Sequence, residues 1–192
     1  MIRKLVAAIV VLGIAAAAAG WFLSAPEHLP ESVVANLPAG DAGRGELIFW
    51  AGGCASCHAP AGAKGEAKLG LSGGQRLETP FGIFVAPNIS SDPRDGIGAW
   101  TLTEFADAML KGTSPQGENF YPAFPYTSYA RMTPQDVSDL FAFMQSLPPV
   151  SGRAAGHELG FPFNIRRGVG LWKRLYLDSA PVIAEDQLHG NT

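Results

Sequence analysis

Cysteine is almost missing from this sequence: among 192 residues there are two, Cys54 and Cys57. A disulfide-stapled fold is therefore excluded, and so is a four-cysteine zinc module. Charge is sparse as well. Asp, Glu, Lys and Arg make up 16% of the chain, the formal net charge is −3, and no basic run occurs. A nucleic-acid-binding surface is not expected from such a balance. Apolar and polar residues nowhere alternate long enough to make a sheet, and no fixed-period repeat recurs. Phe81 to Ala86 forms a short extended piece at most. The other histidines, His28, His157 and His189, are scattered rather than grouped at metal-ligand spacing.

What is present is concentrated in five residues, Cys54-Ala55-Ser56-Cys57-His58. Cys-x-x-Cys-His is the attachment signature of c-type haem. Thiols one helical turn apart can each form a thioether to a porphyrin vinyl group. The adjacent imidazole of His58 is then carried under the iron as proximal ligand. A thioredoxin-type redox pair would want a βαβ setting, and this motif lies in glycine-rich loop sequence. One covalently bound haem c is the expected cofactor.

The N-terminus reads as an export signal. Arg3 and Lys4 precede an uncharged run of nineteen residues, Leu5 to Leu23. As a helix that run is roughly 28 Å long, close to the hydrocarbon thickness of a bilayer. The positive-inside rule puts Arg3 and Lys4 in the cytoplasm and Trp21 at the far interface. Ala15–Ala19 offers small-residue cleavage sites, but the run exceeds a usual signal core of about 7–15 residues. An uncleaved anchor, residues 1–23, is the expectation.

Residues 24–40 hold Pro26, Pro30 and Pro38 and read as a semi-rigid spacer. Gly45 to Ala51 forms a short apolar helix leading into the haem motif, and residues 59–98 form loops. Thr101-Leu-Thr-Glu104 is a capping box opening a second helix that Gly112 stops. Thr133-Pro134 opens a third, whose Val137, Leu140, Phe141, Met144 and Leu147 make a buried stripe. The first and third helices are expected to cross, with Gly45 at the contact and Phe49 against the Leu140/Phe141 face. This gives an all-α haem domain over residues 41–150 with a C-terminal extension over residues 151–192. Within the extension, Ile165, Val169, Trp172 and Tyr176 repeat at 4, 3 and 4 residues beside Arg166, Arg167, Lys173 and Arg174. That helix either packs its stripe on the domain with its charges solvated, or lies on an anionic membrane surface.

Several phrases extend the reading: Leu71-Ser-Gly-Gly74, Thr79-Pro-Phe-Gly82, Pro87-Asn-Ile89, Gly96-Ile-Gly-Ala-Trp100, Tyr121-Pro-Ala-Phe-Pro-Tyr126, the Thr133-Pro134 helix, Phe161-Pro-Phe-Asn-Ile-Arg166 and Trp172-Lys173. In order and spacing the set resembles the class I cytochrome c subunits of bacterial membrane-bound quinoprotein, flavin and molybdenum dehydrogenases, alcohol dehydrogenase among them. The resemblance covers residues 43–177. It implies a class I cytochrome c-like fold, and an electron carrier relaying electrons from a partner dehydrogenase to the respiratory chain. It also implies histidine and methionine axial ligands. Localisation follows as the inner (cytoplasmic) membrane, with the haem domain in the periplasm. In many members the methionine sits inside the Tyr-Pro-Ala-x-Pro-Tyr phrase, where this chain has Phe124. In multihaem relatives the Phe-Pro-Phe segment leads into another haem domain, whereas this sequence carries one attachment motif.

Met132 is therefore the expected distal ligand. Met1 is in the signal, and Met109 and Met144 lie on helical apolar stripes, where methionine ordinarily fills a core. His157 and His189 are the candidates for a bis-histidine haem, and Arg76 and Arg131 for a propionate partner. Asn88-Ile-Ser90 matches a glycosylation acceptor formally, and Asp92 to Gly96 reads as a turn. An open distal site would instead make a haem peroxidase or a gas-binding protein. Met132 and the aromatic loop around it favour a carrier without substrate chemistry of its own.

Overall fold

The computed structural model describes residues 1–179. Helix α1 (Ile2–Leu23) contains the apolar run and buries none of its residues against the rest of the chain. At 22 residues it is about 33 Å long, enough to cross a hydrocarbon layer of about 30 Å.

Residues 24–40 differ from the expected spacer. Their prolines leave backbone groups unpaired, and the domain's own polar groups take them. The Leu29 amide and His28 Nδ1 each lie 2.7 Å from a carboxylate oxygen of the buried Asp107. Thr113 Oγ1 donates to the Glu27 carbonyl at 2.7 Å, and Gln135 Nε2 donates to that of Ala39 at 3.0 Å. With the single-turn α2 (Glu31–Val34) between them, Leu29 and Leu37 pack on the core. The segment is strapped along the domain.

Helix α3 (Ala42–Ala51) starts at Asp41, whose side chain accepts from the Arg44 amide. It runs into the one-turn α4 (Cys54–His58). Helices α5 (Leu102–Lys111) and α7 (Pro134–Ser146) begin at the capping boxes of Thr101/Glu104 and Thr133/Asp136, and α6 (Tyr126–Tyr129) is a single turn between them. The crossing of α3 and α7 is close because residue 45 has no side chain. A Cβ there would stand 2.0 Å from the Asp139 carbonyl oxygen. Phe49 is completely buried, with its ring 5.2 Å from Phe143. Leu140 shares that core, and Phe141 packs on its edge with its ring tilted 5.0 Å from that of Phe105 of α5. Side chains so enclosed typically cost about 3–5 kcal/mol when cut to alanine.

The domain is mostly helical, yet a small sheet is present that the sequence pattern did not signal. Antiparallel β1 (Arg76–Thr79) and β2 (Gly82–Val85) pair around the Pro80-Phe81 turn, and β3 (Glu158–Leu159) adds to the free edge of β2. Four-residue strands are too short to display a period, and the third comes from more than seventy residues away. Arg76 clasps Glu158 through two bonds of 2.8 Å, closing the sheet at its side chains.

Helix α8 (Gly168–Tyr176) begins three residues later than its apolar stripe predicted, after a turn over residues 161–164. Its charges are not all solvated. Lys173 is buried, and its Nζ donates to the carbonyls of Lys111 and Gly112 at the end of α5.

Candidate functional site

The site is built on α4, where Cys54 and Cys57 are three residues apart on one turn and both are free thiols. Gly53, with φ of 72°, turns the chain sharply out of α3 into this helix. Tyr129 ties the same corner from the other side, its hydroxyl donating to the Gly52 carbonyl at 2.7 Å. Burial pushes the Cys54 thiol up to about 11.

His58 Nδ1 lies 2.8 Å from the Pro87 carbonyl oxygen. A carbonyl only accepts, so Nδ1 carries the proton and Nε2 carries the lone pair a metal needs. Burial lowers the imidazole pKa, which favours the neutral ring. Pro87 is itself held. The Gly73 amide donates to the His58 carbonyl, the Gly74 amide to Ala86, and the Ile89 amide to Leu71. The 71–74 and 86–89 stretches of loop are thus clamped to each other and to α4. Residue 73 has φ of 70°, and a Cβ on it would come within 2.4 Å of Ala86 and Pro87 backbone atoms. Glycine is required there. Sequence reasoning missed this support for His58, although the Leu71–Gly74 and Pro87–Ile89 phrases mark both halves of it.

Cys54 opens into a cavity of about 320 Å³ whose walls include Ile48, Ala51, Tyr129, Met132 and Leu140. Met132 is half-buried there, after the last turn of α6, while Met109 and Met144 are enclosed in the helical core. Phe124 packs edge-on against Phe120 and Tyr126 and tilts on Tyr129. Among the described residues no three His, Cys, Asp or Glu side chains converge on a point that could hold a metal ion. The protein therefore offers one histidine and two thiols in a largely apolar setting, a donor set that suits a macrocycle supplying the iron's equatorial nitrogens. The residues fit a haem c.

The remaining candidates are engaged elsewhere. His157 Nδ1 accepts from the Val85 amide and its ring packs on Phe84 and Tyr121. His189 lies outside the described residues. Arg76 and Arg131 pair with Glu158 and Asp178. Asn88 is buried and donates to Val150 and Gly152, which leaves no acceptor for a glycan. Asp92 accepts from the amides of Arg94 and Asp95, the turn expected of it, and those bonds hold its carboxyl below the usual range.

Comparison with known families matches residues 42–148 to the cytochrome c model. The chain belongs to the cytochrome c family. Membership implies covalently bound haem c. The chain is 53% identical over 173 residues to a diheme cytochrome c-type protein of Cereibacter sphaeroides, covering 90% of this chain and 58% of that one. It is 37% identical over 131 residues to the cytochrome subunit of a fructose dehydrogenase of Gluconobacter japonicus, covering 68% and 26%. Over 166 residues it is 31% identical to the cytochrome c subunit of a quinone alcohol dehydrogenase of Gluconobacter oxydans, covering 83% and 34%. The chain thus spans between about a quarter and three fifths of the length of these relatives.

Proposed function

We propose that this cytochrome carries electrons, one at a time, from a partner dehydrogenase to a respiratory acceptor, with no substrate chemistry of its own. The observation that carries the reading is the pairing of the Cys54/Cys57/His58 turn with the Pro87 carbonyl that sets the imidazole's orientation. Bound haem c supplies reversible one-electron chemistry, and the protein supplies its ligation, burial and docking edge. Cys54 and Cys57 would hold one haem, His58 would ligate its iron through Nε2, and Met132, which lines the same cavity as Cys54, would supply the second protein ligand.

The dehydrogenase partner is supported by the relatives, since those named for fructose and alcohol dehydrogenases are cytochrome subunits of such enzymes. None of the relatives named above is a peroxidase, so the open-site alternative gains no support. Helix α1 anchors the protein in the inner membrane, Arg3 and Lys4 keep its N-terminus in the cytoplasm, and the haem domain faces the periplasm. Two measurements test the whole. Haem-peroxidase staining after denaturing electrophoresis should follow the polypeptide, and loss of the stain would rule out covalent attachment. The membrane-extracted protein should be reduced by its dehydrogenase plus substrate and reoxidised by a membrane acceptor. Substrate turnover by the isolated cytochrome would overturn the carrier role.

A further inference from the structure

Helix α8 has an apolar face that the described residues cover only in part, the side chain of Trp172 being half-buried. Leu171, Leu175 and Tyr176 are exposed, the last two by 74% and 67%, and the ring of Trp172 lies beside that of Tyr176. Four apolar residues on adjoining positions of one nine-residue helix make a continuous strip. The opposite side is the one that docks: Lys173 enters the end of α5, and Gly170 meets the Ser24 backbone.

What borders the strip identifies its occupant. Arg167 stands one turn before Leu171, and its guanidinium lies 4.2 Å over the ring of Trp21, in the last turn of α1. Arg167 also donates to the Trp21 carbonyl at 2.7 Å and to Ser24 Oγ at 3.0 Å. Arg174, next to Leu175, donates to the Leu23 carbonyl and pairs with Glu27. Arg167, just before α8, and Arg174 on it thus close the C-terminal end of α1, where carbonyls lack helical partners and a cation is favoured. Trp21, Phe22 and Leu23 of that last turn are themselves exposed. From Arg166 to Leu177 there are four basic residues and no acidic one.

We propose that α8 lies in the interfacial layer of the bilayer that α1 crosses, its Leu171/Trp172/Leu175/Tyr176 face among the lipid chains. This rests on the reading of α1 as a membrane span. An apolar strip carrying Trp and Tyr, on a helix tied by Arg167 and Arg174 to the end of a membrane span, is the kind of surface that seats itself in the interfacial layer. Two contacts with the membrane, one through α1 and one through α8, fix the orientation of the haem domain, where a lone tether would leave it free to swing.

The test uses full-length, haem-loaded protein in nanodiscs of phosphatidylcholine and phosphatidylglycerol. Cys54 and Cys57 are consumed by the haem, so a nitroxide attaches only to an introduced cysteine. Labels at Leu171→Cys and Leu175→Cys should collide more with oxygen than with a water-soluble nickel chelate, as should a label at Val11→Cys in the middle of α1. A label at Lys68→Cys, on the exposed turn over residues 65–69, should show the reverse. If Val11→Cys reports lipid while Leu171→Cys and Leu175→Cys report water, the anchor stands and the α8 proposal fails. If the α8 labels are immobilised and shielded from both quenchers, a protein surface covers the strip, which also overturns the proposal. If Val11→Cys reports water, the membrane reading itself fails, and the α8 proposal with it.

Discussion

Lys173 Nζ lies 2.8 Å from the carbonyl oxygen of Lys111 and 3.2 Å from that of Gly112, so a lysine from the C-terminal extension closes the last turn of α5. The cation meets the negative end of the helix dipole, and it also links α8 to the helix that holds Phe105 and Met109 in the core.

Burial lowers the Lys173 pKa to about 8, below its ordinary 10.5. Between those values the unfolded chain keeps the proton that the folded chain has released, so stability rises with pH. The wild-type denaturation midpoint should therefore climb between about pH 8 and pH 10 relative to Lys173→Met. Parallel pH profiles for the two proteins would show that the ammonium is not buried in solution.

The α3–α7 crossing should weaken on the acid side. Asp139 accepts from the Asp41 amide, from Arg44 Nε and Nη2, and from Gln135 Nε2. The Arg44 bond leads in holding its carboxyl down to about 2. A depressed carboxylate contributes fully above its unfolded pKa and loses that contribution as pH falls through the folded one. Unfolding midpoints should drop between about pH 4 and pH 2. Asp139→Asn should be less stable than wild type at pH 7 and should show a flatter acid limb.

How legible this was in the sequence depends on distance along the chain. The Thr101 and Thr133 caps and the haem turn are carried by residues within a few positions of each other, and the structure has them where their patterns put them; the α3–α7 crossing joins residues more than ninety positions apart, but the side-chain-free Gly45 and the apolar stripe of α7 marked both halves of it. Other contacts that join distant segments left no local trace. Arg76 with Glu158, Asp107 with His28, and Lys173 with the end of α5 each link residues more than sixty positions apart. Each also involves a charged group, and charge in a sequence reads first as solvated surface. Hence residues 24–40 look like a free spacer and Lys173 like an exposed lysine. His58 was plain from its motif, but a backbone carbonyl such as that of Pro87 has no side chain to announce it.

Gly73→Ala should disturb the haem site without touching a ligand. Its Cβ would overlap the Ala86 and Pro87 backbone, and its φ of 70° disfavours a side chain. Backbone strain of this kind costs about 1–3 kcal/mol. Relief of the overlap must move the Pro87 carbonyl away from His58 Nδ1. The variant should lose stability by roughly that amount and also shift its reduction potential, because the hydrogen bond to Nδ1 tunes the ligand's basicity. A loss of stability with an unchanged potential would show that the clamp does not act through His58.

The distal ligand is decided by comparing two methionines. Met132 lines the cavity into which Cys54 opens, whereas Met109 is enclosed on α5 among Phe105, Leu110 and their neighbours. Phe124 offers no lone pair and packs against Tyr126 and Tyr129. Thioether ligation raises the potential relative to a second histidine and gives ferric haem a weak near-infrared charge-transfer band. Met132→Ala should abolish that band and lower the potential, and Met109→Ala should keep the band while losing about 2–5 kcal/mol of stability from the vacated core. The reverse pattern, with the band surviving Met132→Ala and vanishing in Met109→Ala, would move the ligand to α5. A wild-type protein without the band would remove methionine ligation altogether, and since His157 is committed to Val85 and to the rings of Phe84 and Tyr121, the choice would then lie between His189 and an open site.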